Sequence, residues 1–275
     1  MERFEHIDHD LLIEMLERRI DDKAFIRLIR KWLRAGILEE DGKTVVRPGS
    51  GTPQGGIISP ILANIYLHHV LDQWFHRTVT RKSKGEACLV RYADDFVGGF
   101  EYREDAEKFV EALRARLADY RLELAEGKTK VIEFDRTQPR ERFDFLGFEF
   151  RWGRDKRGQP HVKKRTSREK LRGSIENFTE WLRKHRSLPC RELFRKLNSK
   201  LRGYYNYYGV SCNSPSLWRF YNEVIRLLQK WLSRRSQRGR VNWDKLKRLV
   251  RKYGLAVPKI NERAGRAKPR PVCLY

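Results

Sequence analysis

Two adjacent carboxylates, Asp94 and Asp95, sit between apolar, β-prone runs: Leu89-Val90 before them and Phe96-Val97 after. Along a strand, neighbouring side chains point to opposite faces. At a hairpin tip both can turn toward one site. Two ionised carboxylates side by side repel, and burying them without a cation is costly. A divalent metal removes that cost. Hard ions such as Mg2+ take carboxylate oxygens together with substrate phosphates, and a pair of them can activate a hydroxyl and stabilise a leaving oxygen. An Asp-Asp pair taken alone is most often an ordinary surface turn, because Asp favours turns. The surrounding segments have to decide.

Other segments carry residues with chemical potential. In Pro53-Gln54-Gly55-Gly56 the glycines let backbone approach a base pair, or the segment simply caps the next helix. Lys128 and Lys130 are solvated turn lysines or neutralise charge on a departing group. Phe145 and Phe148 can pack in a core while the backbone of Gly147 stays accessible. Tyr204, Tyr205, Tyr207 and Tyr208 follow Arg202 on a basic stretch. At least half of these tyrosines belong in a core, and the rest are available to stack on bases. Trp218, Trp231 and Trp243 read as core residues.

The elements that must position these groups follow from periodicity and caps. Asp8 caps a helix carrying Leu11, Leu12, Met15, Leu16 and Ile20. A second helix spans about 22–35, with Phe25, Ile26, Ile29 and Leu33 on one face and Gly36 at its end. Residues 38–47, broken by Asp41-Gly42, read as a hairpin. Ser59-Pro60 opens a helix, with Ser59 as N-cap, running through Ile61, Leu62, Ile65, Leu71 and Trp74. Residues 87–100 are β-prone around Asp94-Asp95. A helix returns at Tyr102, burying Ala106, Phe109, Val110, Leu113 and Leu117. Short strands are expected at 122–124, 131–134 and 143–150. Beyond a basic linker or extended hairpin at 151–166 only helices are signalled, over 167–185, 190–208, 214–233 and 243–253. The fold class is therefore α+β, a mixed domain over 1–150 followed by an all-α basic domain over 167–260 and a basic tail over 261–275.

Composition narrows the partners. Of the chain's 60 Lys+Arg and 36 Asp+Glu, residues 1–150 hold 25 and 28, a net of −3. The remaining 125 residues hold 35 and 8, a net of +27. A single-sign field of that strength calls for a polyanion, and the interleaved Trp and Tyr favour nucleic acid. No apolar run reaches the roughly 18 residues a membrane span needs, and a cytoplasmic protein is the expectation. Cys88, Cys190, Cys212 and Cys273 show no metal-ligand spacing and read as reduced, mostly buried thiols.

Taken together, the motifs resemble one family. Tyr92-Ala93-Asp94-Asp95 resembles the Tyr-x-Asp-Asp box of reverse transcriptases, in the form typical of group II intron-encoded proteins. The run from Gly51 through Pro53-Gln54-Gly55-Gly56 to Tyr66 resembles that family's Pro-Gln-Gly motif. Gly127-Lys128-Thr129-Lys130 and Phe145-Leu146-Gly147-Phe148 resemble its next two palm motifs. The segment from Arg202 to Gly209 resembles the maturase, or X, domain helix. The blocks occur in family order across nearly the whole chain.

The resemblance implies a partial reverse-transcriptase palm followed by a thumb/maturase domain. It implies RNA-directed DNA polymerase activity, with Asp94 and Asp95 as catalytic metal ligands in a two-Mg2+ site. Pro53, Gln54, Gly55, Gly56, Tyr92, Ala93, Lys128 and Lys130 would then line the nucleotide and template. Residues 145–148 would form the primer grip, and Arg202 with Tyr204, Tyr205, Tyr207 and Tyr208 would meet RNA. Implied partners are intron RNA, an RNA template with DNA primer, dNTPs, and a separately encoded fingers segment; no membrane is implied. The family's third catalytic aspartate would fall just before Met1. Glu5 stands where the family has its second Asp in that stretch, and Asp8 and Asp10 read as cap and first-turn acids. The metal site is thus expected to be incomplete and stand-alone polymerisation impaired. A non-catalytic RNA-binding maturase or splicing factor is the alternative, and a poorly folding inactive fragment a third reading. The tail shows no Cys/His-rich endonuclease pattern.

Overall fold

The computed structural model of the chain describes residues 7–35, 37–38, 45–46, 58–137, 141–235 and 240–261. It divides into two compact units, Met1–Glu133 and Phe134–Tyr275. The architecture is α+β, with antiparallel strands and helices in both units. No helix among the described residues is long and apolar enough to cross a membrane.

In the first unit, α1 (His9–Glu17) is capped by Asp8, whose carboxylate accepts from the amides of Asp10 and Leu11 at 2.9 Å. Asp22 caps α2 (Lys23–Arg34) in the same way, and Ile26, Ile29 and Leu33 form its buried stripe. Phe25, expected on that stripe, is 41% exposed. Strands β1 (Ile37–Leu38) and β2 (Val45–Val46) pair antiparallel as the expected hairpin; Asp41-Gly42 and Gly36 lie outside the described residues.

Helix α3 (Ser59–Leu67) starts one residue earlier than the Ser-Pro signal suggests. Ile58 is at the cap position and Ser59 is the first helical residue, with Pro60 in the opening turn. The helix then widens into two π turns, His68–Asp72 and Phe75–Val79, and ends in α4 (Thr80–Lys82). Tyr66, Val70, Leu71 and Phe75 are fully buried along it. Strands β3 (Ala87–Tyr92) and β4 (Asp95–Phe100) form a ribbon in which Ala87 faces Phe100 and Tyr92 faces Asp95. Cys88, on the outward phase of β3, is exposed rather than buried, and Cys212 is exposed too.

Helix α5 (Arg103–Asp119) buries Phe109, Leu113 and Leu117. Its Asp105, buried, accepts from the amide of Lys84 at 2.7 Å and fixes the entry to β3. At its end Arg121 pairs with Asp8, and the Tyr66 hydroxyl donates to the carbonyl of Tyr120 at 2.8 Å. Burial, with Asp8 nearby, pushes that hydroxyl well above the ordinary phenol range. Residues 122–124 and 131–134 form no strands. Leu122 still buries its side chain, but no neighbouring strand pairs with either segment.

The second unit opens with a three-stranded antiparallel sheet, β5 (Arg142–Phe145), β6 (Phe148–Arg154) and β7 (Pro160–Thr166), in that order. Residues 143–150 are thus two strands joined by a turn. Glu149, almost wholly buried on β6, is held by Arg165 at 2.7 Å. Its charge, after burial itself, is a cause of the raised carboxyl pKa of Asp144 across the ladder. Ser167 caps α6 (Arg168–His185). Helices α7 (Cys190–Tyr208), α8 (Ser214–Ser233) and α9 (Trp243–Tyr253) follow. Their core holds Phe178, Leu193, Leu197, Leu201, Phe220, Val224 and Leu228. Trp231 belongs to this core. Trp218 and Trp243 are close to half exposed, contrary to the sequence expectation.

Candidate metal-binding turn and nucleic-acid surface

The β3–β4 register leaves Ala93 and Asp94 as a two-residue turn. Ala93 has φ +52°, while Asp94 does not share the left-handed conformation. A positive φ at the first turn position alone matches the type II′ hairpin family, where glycine is usual. Asp95 is exposed and Asp94 half-buried. Neither carboxylate has a hydrogen-bond or ion-pair partner among the described residues. Tyr92, 67% exposed, is on the outward phase of β3.

What holds this turn is Arg91, on the inward phase with Ala87 and Leu89. Its Nε and Nη2 grip the Asp72 carboxylate at 2.7 and 2.6 Å. Its Nη1 donates to Asn64 Oδ1 and to the carbonyl of Ala93, both at 2.8 Å. Asn64 is anchored by its amide to the Pro60 carbonyl at 3.0 Å, and His68 Nδ1 lies 3.2 Å from Asp72. Sequence reading passed over Arg91, Asp72 and Asn64. The available signal was a guanidinium on the buried phase of a strand, which needs a partner.

Two ligand residues fit a hard divalent cation: adjacent, unpaired carboxylates offer oxygen donors of the kind such ions take. No group of three or more His, Cys, Asp or Glu side chains able to hold a metal occurs among the described residues. Lys128, ending a 3-10 turn (Glu126–Lys128), and Lys130 are exposed, and no described contact joins either to the aspartates. Pro53, Gln54, Gly55 and Gly56 lie outside the described residues.

The second unit gathers a different group. Phe145 pairs with Phe148, and between them Leu146 (φ +50°) and Gly147 (φ +76°) form a turn with both residues left-handed, as in type I′ hairpins. The Tyr207 hydroxyl donates to the Leu146 carbonyl at 2.9 Å, and the Ser167 amide to the Gly147 carbonyl at 3.0 Å. The turn's own amides meet no acceptor among the described residues. Phe148 packs on Tyr207 and Tyr208, ring centroids 5.8 and 5.3 Å apart. A side chain at Gly147 would come 3.2 Å from the Tyr208 hydroxyl. Gly147→Ala is therefore expected to lower stability by about 1–2 kcal/mol, the usual cost of a left-handed Ala, read as a lower midpoint in urea.

Of the four tyrosines, Tyr205 is buried, and Tyr204 stacks on Phe220 at 3.8 Å. Burial raises the pKa of both hydroxyls. Tyr207 is 55% exposed. Arg191, Arg195 and Arg202 of α7 are exposed as well, but helical spacing puts them well around the helix from Tyr207.

The family model for the reverse transcriptase (RNA-dependent DNA polymerase) matches residues 2–150, more than half of the chain. The chain belongs to the reverse transcriptase family. A model of the group II intron maturase-specific domain matches residues 162–250 of this reverse transcriptase relative. The chain is 30% identical to the group II intron-encoded protein LtrA of Lactococcus lactis subsp. cremoris, over 78% of this chain and 48% of LtrA. It is 29% identical to protein YkfC of Escherichia coli over 66% of this chain and 53% of YkfC. A 73-residue stretch is 54% identical to an uncharacterized 91 kDa protein in a cob intron of Schizosaccharomyces pombe, covering 26% of this chain and 8% of that one. The chain thus spans about half the length of LtrA and YkfC. Within the reverse transcriptase family, both the α+β architecture and the group II intron kinship expected from the motifs hold.

Proposed function

We propose that this chain contributes the metal-binding turn of an RNA-directed DNA polymerase of group II intron type and binds intron RNA through its basic helical half. The observation that carries the first part is the Ala93-Asp94 turn, which places two unpaired carboxylates at successive positions on a clamped backbone. Asp94 and Asp95 would hold Mg2+, which when bound supplies charge stabilisation for nucleotidyl transfer and lowers the pKa of a coordinated hydroxyl. Ala93 keeps the turn small where a primer end must approach. Tyr92 offers an exposed ring for stacking. We assign Pro53, Gln54, Gly55 and Gly56 to the nucleotide and template, and Lys128 or Lys130 to the charge of the departing diphosphate. We assign residues 145–148 to the primer: with the Leu146 and Gly147 carbonyls taken, the turn has only N–H donors to offer, which suits a phosphate. On this reading 1–150 is the palm part and 167–260 the thumb and maturase part. Primer extension on an RNA template, by the chain alone and with a separately encoded fingers segment, tests the assignment. Absence of product in both arms overturns it for this chain.

A second reading, RNA binding without catalysis, is favoured by the charge distribution, net +27 after residue 150. Arg202 and Tyr207, both exposed on α7, are the contacts we assign to RNA. Affinity of the full chain for intron RNA is expected to fall steeply with salt, by about 10³-fold or more between 50 and 200 mM, as for roughly six or more phosphate contacts. Filter binding across that range checks it; a flat profile excludes an electrostatic RNA surface.

A further inference from the structure

We propose that Arg91 is the positioning residue of the metal-binding turn, and that Asp72 and Asn64 keep its charge off the metal carboxylates. The inference rests on the reading of Asp94 and Asp95 as metal ligands. An arginine three residues from two unpaired aspartates would ordinarily fold onto them, and carboxylates already paired with a guanidinium leave no place for Mg2+. Here every guanidinium nitrogen is committed elsewhere. Nε and Nη2 form a two-pronged pair with Asp72, and Nη1 bridges Asn64 and the Ala93 carbonyl. Such a fork fixes geometry as well as charge. Asp72 supplies the counter-charge, so Asp94 and Asp95 are left without a protein partner among the described residues.

The same guanidinium acts on the backbone. Ala93 holds a left-handed φ of +52° that its side chain disfavours. The hydrogen bond from Nη1 to its carbonyl ties that strained peptide to Asn64 on α3 and, through the guanidinium, to Asp72 in the first π turn. Rigid helix, guanidinium and turn therefore form one unit, and the carboxylates are presented by a backbone that cannot relax. Lysine cannot reproduce this: it keeps the charge but lacks the fork, and its ammonium is free to reach the aspartates.

Terbium luminescence sensitised through Tyr92 tests this in the full chain, without recourse to catalysis. Asp94→Asn defines the signal that belongs to the turn. If Asp94→Asn leaves the titration unchanged, the metal reading itself fails, and the role of Arg91 with it. If Asp94→Asn removes the signal, Arg91→Lys is expected to raise the Tb3+ midpoint about tenfold, the usual penalty for losing a group that orients metal ligands. Asn64→Ala is expected to raise it in the same direction by a smaller factor. Asn64 is exposed on α3, so its truncation keeps the fold even where an Arg91 variant loses it, and thermal melting of each variant separates positioning from unfolding. Titrations of folded Arg91→Lys and Asn64→Ala that overlay the unsubstituted chain overturn the proposal.

Discussion

Asp94→Asn is expected to lower RNA-templated primer extension by about 10³-fold or more, under whichever condition supports extension, and to leave RNA affinity unchanged. Asparagine keeps the shape of the side chain and removes the charge that a hard cation requires. Losing a metal ligand forfeits several kcal/mol of charge stabilisation, and each 1.36 kcal/mol is a factor of ten in rate. RNA affinity is a separate property, because the basic excess lies after residue 150. Neither aspartate pairs with another described side chain, so no internal contact is broken and the melting temperature should hold. Asp95→Asn, one position into β4, is expected to behave alike. Extension that survives both substitutions would place the metal elsewhere, and a parallel loss of RNA affinity would merge the two activities into one surface.

Asn213→Ala is expected to be the most destabilising single truncation of a polar side chain in the second unit, costing about 3–5 kcal/mol. Asn213 is fully buried. Its Oδ1 accepts from the Thr166 amide, and its Nδ2 donates to Thr166 Oγ1 and to the Tyr208 carbonyl, each at 2.8 Å. One amide side chain thus joins the end of β7, the end of α7 and the start of α8. Truncation strands the buried Thr166 amide and hydroxyl, each left unsatisfied at about 1–3 kcal/mol, and removes a donor from the Tyr208 carbonyl, which keeps the Val210 amide. A melting temperature lower by about 10 °C is the corresponding readout. Asn213→Asp keeps the acceptor, loses both donors and buries a charge, so it should be no milder. A shift of only a degree or two in both variants would mean that the three segments are held by the apolar core alone.

The helices of the second unit were legible because local signals agree. Ser167 caps α6, Asn242 caps α9, Pro215 stands in the first turn of α8, and the apolar positions repeat at helical spacing. The Asp-Asp turn was legible because its flanking strands alternate. Ser59 misled because Ser-Pro signals a helix start without saying which residue takes the cap. The strands expected at 122–124 and 131–134 misled because apolar content specifies burial, while a ladder also requires a partner. The Arg91 clamp joins positions 19 and 27 residues apart, beyond the reach of any local pattern. The exposure of Trp218 and Trp243 was likewise hidden, since residue type alone does not fix which side of a helix is covered.

The two π turns in the helix that carries Asn64 and Asp72 bear on how this segment can change length. A π turn holds one residue more than the α turn it replaces. Each is therefore a one-residue insertion absorbed as a local bulge, with the faces on either side still in phase: Tyr66 before the first and Phe75 after it are both fully buried. Removing one residue between His69 and Leu71 would restore an ordinary α turn and leave Phe75 facing inward. The same deletion in α5 would rotate everything beyond it by about 100°. The scaffold beneath the aspartates thus carries two one-residue bulges, and homologues that differ by a single deletion there can keep Tyr66 and Phe75 on the same buried face.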